Sequence, residues 1–341
     1  MPAMERSELG SEEFALLADQ FRPELLAHCY RMLGSVQEAE DQVQETLLRA
    51  WRAHGDFEGR SSLRTWLYRI ATNACLRALE NRERRPLPSG LGAPGGDPAG
   101  PIAPPTSAVH WLEPFPDALL RPESADPAVV AAARSGLRLA VVAALQQLPV
   151  RQRTVLILRD VLGWRAAEAA GLLGVSVTAV NSALQRAREQ LKQEVPVADE
   201  IREPSGQADR ALLGRYAAAI ENADVPALVK LLHEDATFEM PPMPTWFRGR
   251  ENIGRFLASR VLTSPGTFTT VPVAANGQPA LAIYRTAGDG ARRAYGIQVL
   301  TLRGSAIAGI VAFLDSRLPP AFGLPAELPA ADPMSRPGSA T

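Results

Sequence analysis

The chain has 341 residues, enough for two or three domains, and 46% of them are hydrophobic, enough to fill sizeable cores. Its 36 Lys and Arg face 37 Asp and Glu, a net charge of −1 that argues against a nucleic-acid partner when the chain is taken whole. Two cysteines, Cys29 and Cys75, exclude a disulfide framework and a cysteine-rich zinc site. The acidic start (Glu5, Glu8, Glu12, Glu13) is no signal peptide, and no run of about 18 apolar residues could span a membrane.

In chain order, Phe14, Leu17, Phe21, Leu25 and Cys29 recur at helical spacing, and Gly34 ends that helix. Val36, Ala39, Val43, Leu47 and Ala50 form the buried face of the next. Its opposite face carries Asp41, Gln44, Glu45 and Leu48 at i, i+3, i+4 and i+7, an acidic stripe that Glu38 extends. On its own such a stripe reads as a solvated face. A polar loop follows, with Phe57 at its tip. Ser62 is the predicted N-cap of a third helix that buries Leu63, Leu67, Ile70 and Ala74 and shows Thr65, Arg69, Asn73 and Arg77. Polar loop, Trp66, Tyr68 and arginines together suit an unstacked base, although taken alone Trp66 reads more readily as core.

Residues 86–137 are acidic and rich in Pro and Gly, and are predicted to form a flexible linker. Gly90, Gly92 and Gly95 spell a dinucleotide fingerprint, but no strand precedes them and Pro94 interrupts them, so the linker reading is preferred. Residues 138–193 are basic. Trp164–Leu173 reads as a short helix, Gly174 as a tight turn and Ser176 as the next N-cap. Val177, Val180, Leu184, Ala187 and Leu191 then repeat at 3,4,3,4 spacing as a buried seam. The other side presents Thr178, Asn181, Ser182, Gln185, Arg186 and Arg188. This is a helix-turn-helix pattern. Its second helix fits a major groove, where Asn and Gln can pair with adenine and Arg with guanine or phosphate.

Residues 207–317 change to helices followed by strands, predicted at 267–275, 279–286, 292–303 and 306–314. Asp224–Asp235 reads as a helix whose end, His233-Glu234-Asp235, is a cap and turn. The Pro/Ala-rich tail from 318 to 341 is expected to be disordered.

The segments Ala39–Glu45 and Phe57–Asn73, followed by Leu148-Pro-Val-Arg-Gln-Arg153, Leu158–Gly163 and Leu184–Leu191, resemble regions 2 and 4 of extracytoplasmic-function (ECF) sigma factors of the sigma-70 family. The segment Tyr216–Leu257 and the strands after it resemble a SnoaL-like cone, three helices against a curved sheet. The combination, with Trp111-Leu-Glu-Pro-Phe-Pro-Asp117 in the linker, is similar to a SigG-type subgroup. The resemblance implies a multidomain fold: two all-α sigma modules, a region 2 bundle at 12–85 and a region 4 helix-turn-helix at 138–195, then an α+β SnoaL-like domain at 205–317. It implies that Asp41, Gln44, Glu45 and Leu48 meet the β′ clamp helices of core RNA polymerase, with the β flap as a second contact. Phe57, Arg60, Ser61, Thr65, Trp66, Arg69 and Asn73 would hold the melted −10 element. Ser176, Thr178, Asn181, Ser182, Gln185, Arg186 and Arg188 would read the −35 element. Core polymerase and promoter DNA are the implied partners, an anti-sigma factor or a small ligand of the cone further candidates, and the implied location is cytoplasmic.

No cofactor is expected, and four scattered histidines give no metal site. Acid–base chemistry in the cone would need His233, Glu239 or Asp315 to face inward, and catalysis is not the reading adopted. Two alternatives remain: a ligand-sensing helix-turn-helix regulator working without polymerase, which leaves the Asp41/Gln44/Glu45 face unexplained, and a SnoaL-like isomerase or cyclase on a helical anchor.

Overall fold

A computed structural model describes residues 11–57, 59, 61–80, 84–120, 136–194 and 206–329. Arg60, residues 121–135 of the linker and the tail from 330 lie outside the described residues. The chain divides into two units. One comprises 1–90 and 108–198, the other 91–107 and 199–341.

The helical unit opens with α1 (Ser11–Asp19), α2 (Arg22–Leu33), α3 (Val36–Arg52) and α4 (Leu63–Leu79). Gly34 takes φ 72° and ends α2, as its place in the sequence predicts. Ser35 caps α3 by accepting from the Glu38 amide, and Ser62 caps α4 by accepting from the Thr65 amide at 3.1 Å. Val43, Ala50, Leu67, Ala71 and Cys75 fill the space between these helices. The second half of the unit is α5 (Leu139–Gln147), α6 (Val150–Leu156), a π-helical turn (Ile157–Val161), α7 (Ala166–Leu173) and α8 (Val177–Glu194). Gly174, at φ 64°, makes the turn between α7 and α8.

The two halves of this unit pack on each other. Arg153 of α6 is 2% exposed. Its guanidinium donates to the carbonyls of Gln146 and Leu148, to the Gln146 Oε1 at 2.9 Å, and to the carbonyl of Met32 in the last turn of α2. A helix end leaves its last carbonyls without partners, and here a side chain 121 residues away supplies one. Gln146 donates back to the carbonyl of Arg31 at 3.2 Å.

Linker residues join this core, contrary to the expectation of a free tether. Leu112 and Phe115 are fully buried. Glu113 is held on both sides: its carbonyl accepts from Tyr30 at 2.6 Å, its carboxylate accepts from the Val36 amide at 3.0 Å, and its amide donates to Gly34.

The second unit contains α9 (Gln207–Glu221), α10 (Val225–Leu231), α11 (Arg250–Phe256) and a seven-stranded sheet ordered β2-β1-β6-β5-β4-β3, with β7 beside β5. The strands are β1 (Leu232–Glu239), β2 (Trp246–Arg248), β3 (Phe268–Ala275), β4 (Gln278–Thr286), β5 (Arg292–Arg303), β6 (Ala306–Phe313) and β7 (Glu327–Leu328). All pairs are antiparallel except β1 with β6. Pro272 lies in β3, an edge strand, where a missing amide costs no ladder bond.

Two expectations fail here. His233-Glu234-Asp235 is not a helix end: α10 stops at Leu231, and these residues form the irregular stretch of β1 between Leu232 and Thr237, the positions on either side that pair in parallel with β6. Residues 318–329 of the predicted disordered tail are ordered. A short α12 (Leu318–Ala321) leads to β7, and the carbonyls of Pro325 and Ala326 accept from the Tyr284 hydroxyl and the Ala294 amide, both at 2.8 Å.

Gly296 in β5 is where the backbone of β6 comes closest. A Cβ there would sit 2.1 Å from the Phe313 carbonyl oxygen of β6. Gly296→Ala is expected to destabilise the cone by at least about 2 kcal/mol, visible as an early transition in thermal unfolding of the full chain. A melting curve superimposable on wild type would show that the strands can separate there without cost.

Candidate functional site

The face of α3 opposite its buried row is laid out as its spacing predicts. Asp41, Gln44 and Leu48 are exposed and Glu45 is half-buried, its carboxylate paired with Arg49 at 2.5 Å one turn on. That pair is solvated and contributes little to stability. Leu48 and Trp51 are 41% and 46% exposed, among the few large apolar side chains on the surface of the described residues. Trp51 continues the stripe three residues beyond Leu48, and sequence reasoning missed it although the same spacing would have found it. Acid groups beside exposed apolar ones make a patch suited to a basic protein partner with an apolar centre.

On α4 the structure joins Phe57 and Trp66, both half-buried, as a ring pair 5.0 Å apart, with Phe14 edge-on to Trp66 at 6.3 Å. Trp66 is therefore neither core nor free. The Thr65 hydroxyl lies 2.9 Å from Ser62 Oγ and so takes part in the cap. Arg69 is exposed, while Ser61 and Asn73 are half-buried. Thr65, Arg69, Asn73 and Arg77 follow one another at four-residue spacing along α4.

On α8 the seam is Val180, Leu184 and Ala187, all buried, with Leu191 half-buried. Val177 departs from the prediction: it is the first residue of α8 and is 44% exposed. Ser176 caps the helix by accepting from the Ala179 amide at 3.1 Å. Thr178, Asn181, Ser182, Gln185 and Arg186 are all exposed. Gln185 donates to Glu189 at 3.1 Å within the helix. Arg188 stands apart from the others. Its guanidinium makes a two-point contact with Asp160 at 2.6 and 2.9 Å, which holds it more firmly protonated than an ordinary arginine.

The ends of the two rows meet. Asn73 and Arg77 of α4 border the same groove as Arg151 of α6 and Ala179, Ala183 and Arg186 of α8, a space of about 770 Å³.

In the cone, His233, Glu239 and Asp315 are not brought together. His233 lies against the Arg303 guanidinium, Asp315 is paired with Arg317 at 2.6 Å, and none of the three lines the internal cavity. Among the described residues no group of three or more His, Cys, Asp or Glu could hold a metal, and no single helix is long and apolar enough to cross a membrane.

Known families match each part of this architecture. Residues 17–85 match Sigma-70 region 2, residues 138–191 match Sigma-70 region 4 and residues 213–310 match the SnoaL-like domain. The ECF RNA polymerase sigma factor SigG of Mycobacterium tuberculosis is 49% identical over 318 residues, covering 93% of this chain and 85% of that protein. The chain belongs to the ECF family of RNA polymerase sigma factors. It is thus an initiation factor rather than an enzyme. The ECF factor SigJ of the same organism is 28% identical over 260 residues, 73% of this chain and 74% of that one. The crystal structure of SigJ aligns with a TM-score of 0.58 at 23% identity, covering 93% of this sigma factor and all of that chain, and so shares its fold.

Proposed function

We propose that this ECF factor binds core RNA polymerase through the α3 face of Asp41, Gln44, Glu45 and Leu48, extended by Trp51. In this reading it directs initiation by reading the −35 element with α8 and holding the −10 element on α4 and the Phe57 loop. Such a factor works where polymerase and DNA are, in the cytoplasm. The observation that carries the reading is the outer face of α8: five hydrogen-bonding side chains, all exposed, on a helix set by a glycine turn over a buried seam.

Gln185→Ala is expected to lower −35-dependent initiation by roughly 5- to 150-fold, the equivalent of the 1–3 kcal/mol that one base contact carries. Arg188→Ala should leave the base preference unchanged and loosen the hairpin instead, because its charge is committed to Asp160. Promoter libraries varied across the −35 element would separate the two. A preference unaltered by Gln185→Ala, or altered by Arg188→Ala, would reassign the contacts.

The helical unit as folded is closed. The elements at −35 and −10 lie about 25 base pairs apart, roughly 85 Å of duplex. Here Asn73 and Arg186 border one groove. Initiation therefore requires the contact between α2 and α6 to open, with the free energy of core binding as the driving force. We assign the SnoaL-like domain a regulatory role in that step. Residues 91–107 of the linker between the two sigma modules pack on the cone: the Gly95 amide donates to the Trp246 carbonyl at 2.8 Å and the Trp246 indole donates to the Gly92 carbonyl at 2.9 Å. A cone that holds the linker limits how far the modules can part.

A further inference from the structure

The match to Sigma-70 region 2 begins at residue 17, so Phe14 of α1 lies outside it. Its side chain is nonetheless buried, at 4% exposed. Its ring contacts lie on the connection from α3 to α4 and on α4 itself. The ring stacks on the His54 imidazole, with centroids 5.2 Å apart and planes inclined at 25°, and stands edge-on to Trp66 at 6.3 Å. His54 begins the short 3-10 turn (His54–Asp56) that opens the Phe57 loop. Its Nδ1 lies 2.6 Å from the Trp51 carbonyl, which can only accept, so Nδ1 carries the proton and the imidazole is held in one orientation. The His54 carbonyl accepts from the Phe57 amide at 3.1 Å, and the Phe57 ring in turn pairs with Trp66 at 5.0 Å. The rings close a circuit from Phe14 through His54, Phe57 and Trp66 back to Phe14. Phe14 is its one member from neither the loop nor α4.

We propose that Phe14 is a positioning residue for −10 recognition: its ring clamps the loop through His54 and Trp66, so that Phe57 and Trp66 are in place before the strand arrives. This inference rests on the reading of the Phe57 loop and α4 as the −10 site. Phe14 is buried and acts only through the rings it touches. The loop contains Gly55 and Gly59, so without a clamp it has many conformations open to it. Ordering it at the moment of binding would weaken the hold on the strand, and contacts made in advance remove that cost. The stack on His54 needs a ring, whereas filling the space between α1 and α4 needs only an apolar side chain.

That difference defines the test. Phe14→Leu keeps apolar bulk and removes the stack, and His54→Leu removes the same stack from a half-buried position. Full-length variants are combined with core polymerase on a promoter fragment taken from run-off mapping. Melting is read from 2-aminopurine placed in the −10 element, whose fluorescence rises as the base unstacks. Each single variant should lower the melting equilibrium by about fivefold or more, the scale of an aromatic pair together with the loop order it imposes. The double variant should lie within about twofold of the weaker single, because both substitutions remove one contact. Core affinity and −35 preference should stay within about twofold of wild type in all three. His54→Phe, which restores a ring, should recover melting, and it decides the matter if Phe14→Leu does not fold.

Wild-type melting by a folded Phe14→Leu factor, additive losses in the double variant, or a His54→Phe factor as poor as His54→Leu would overturn the proposal. A loss of core affinity in step with melting would also overturn it, since that marks a general structural role. Phe57→Ala separates this inference from the reading beneath it. Melting lowered by Phe57→Ala but by neither Phe14→Leu nor His54→Leu overturns the positioning role alone. Melting unchanged by Phe57→Ala overturns the −10 reading and the positioning role with it.

Discussion

Replacing Arg153 with methionine should cost the helical unit about 3–5 kcal/mol, the scale of breaking a buried charged network from one side. Burial lowers the arginine to about 10, still far above neutral pH, so the group remains a cation whose solvation is replaced by protein carbonyls. Methionine fills the volume but strands the carbonyls of Met32, Gln146 and Leu148 and the Gln146 amide oxygen. Urea unfolding followed by far-ultraviolet circular dichroism should show the midpoint drop. An unfolding free energy within about 0.5 kcal/mol of wild type would mean that water replaces the guanidinium at no cost. The effect has two separable parts. The contacts to Gln146 and Leu148 hold region 4 together, whereas the one to Met32 joins it to region 2, and in the proposed opening only the second breaks.

Acid should unfold the same unit through His28, by about 4–5 kcal/mol between pH 6.5 and pH 3. The Thr72 hydroxyl donates to the Tyr68 carbonyl at 2.7 Å, so Thr72 Oγ1 is an acceptor and His28 Nε2 must be the donor across 3.0 Å. Nδ1 is then unprotonated and has no partner among the described residues. Burial first, and the Arg31 charge second, lower the imidazole from 6.5 to about 3. Below pH 6.5 the unfolded chain takes up a proton that the folded chain refuses until about pH 3, so stability is full above that window and falls as pH falls through it. Denaturation midpoints across pH 7 to 4 should decline more steeply for wild type than for His28→Leu. Parallel declines would assign the acid loss to carboxylates instead.

What the sequence could and could not disclose follows from the range of the interactions. The outer face of α8 is legible because a helix repeats every 3.6 residues, so Asn181, Gln185 and the seam of Val180, Leu184 and Ala187 declare themselves from spacing alone. Nothing local marks Arg153 as the buried arginine rather than Arg151, since its partner Met32 is 121 residues distant. The linker misled for the same reason. Ile102, Leu112 and Phe115 have no period among the prolines; Ile102 packs on the core of the cone, and Phe115 lies 4.9 Å from the ring of Tyr30, far back in the chain. His233–Asp235 sits where a polar helix end and a polar strand look alike, and the pairing of the flanking Leu232 and Thr237 with β6, some 75 residues later, decides between them. The carboxylate row of α3 was visible, but its chemistry as a patch depends on Trp51 standing out beside Leu48, which burial shows and spacing only permits.

The most direct test of the account is run-off transcription on genomic fragments, with purified core polymerase and this factor, in wild-type form and as Asp41→Ala with Glu45→Arg. The account predicts transcripts from defined starts only when the wild-type factor is present, with one shared pair of −35 and −10 sequences upstream. It also predicts that the double variant, folded as wild type, loses core affinity and transcripts together by tenfold or more. Normal core affinity and undiminished transcripts from the double variant, or specific duplex binding by the factor alone with no effect on the polymerase, would contradict it.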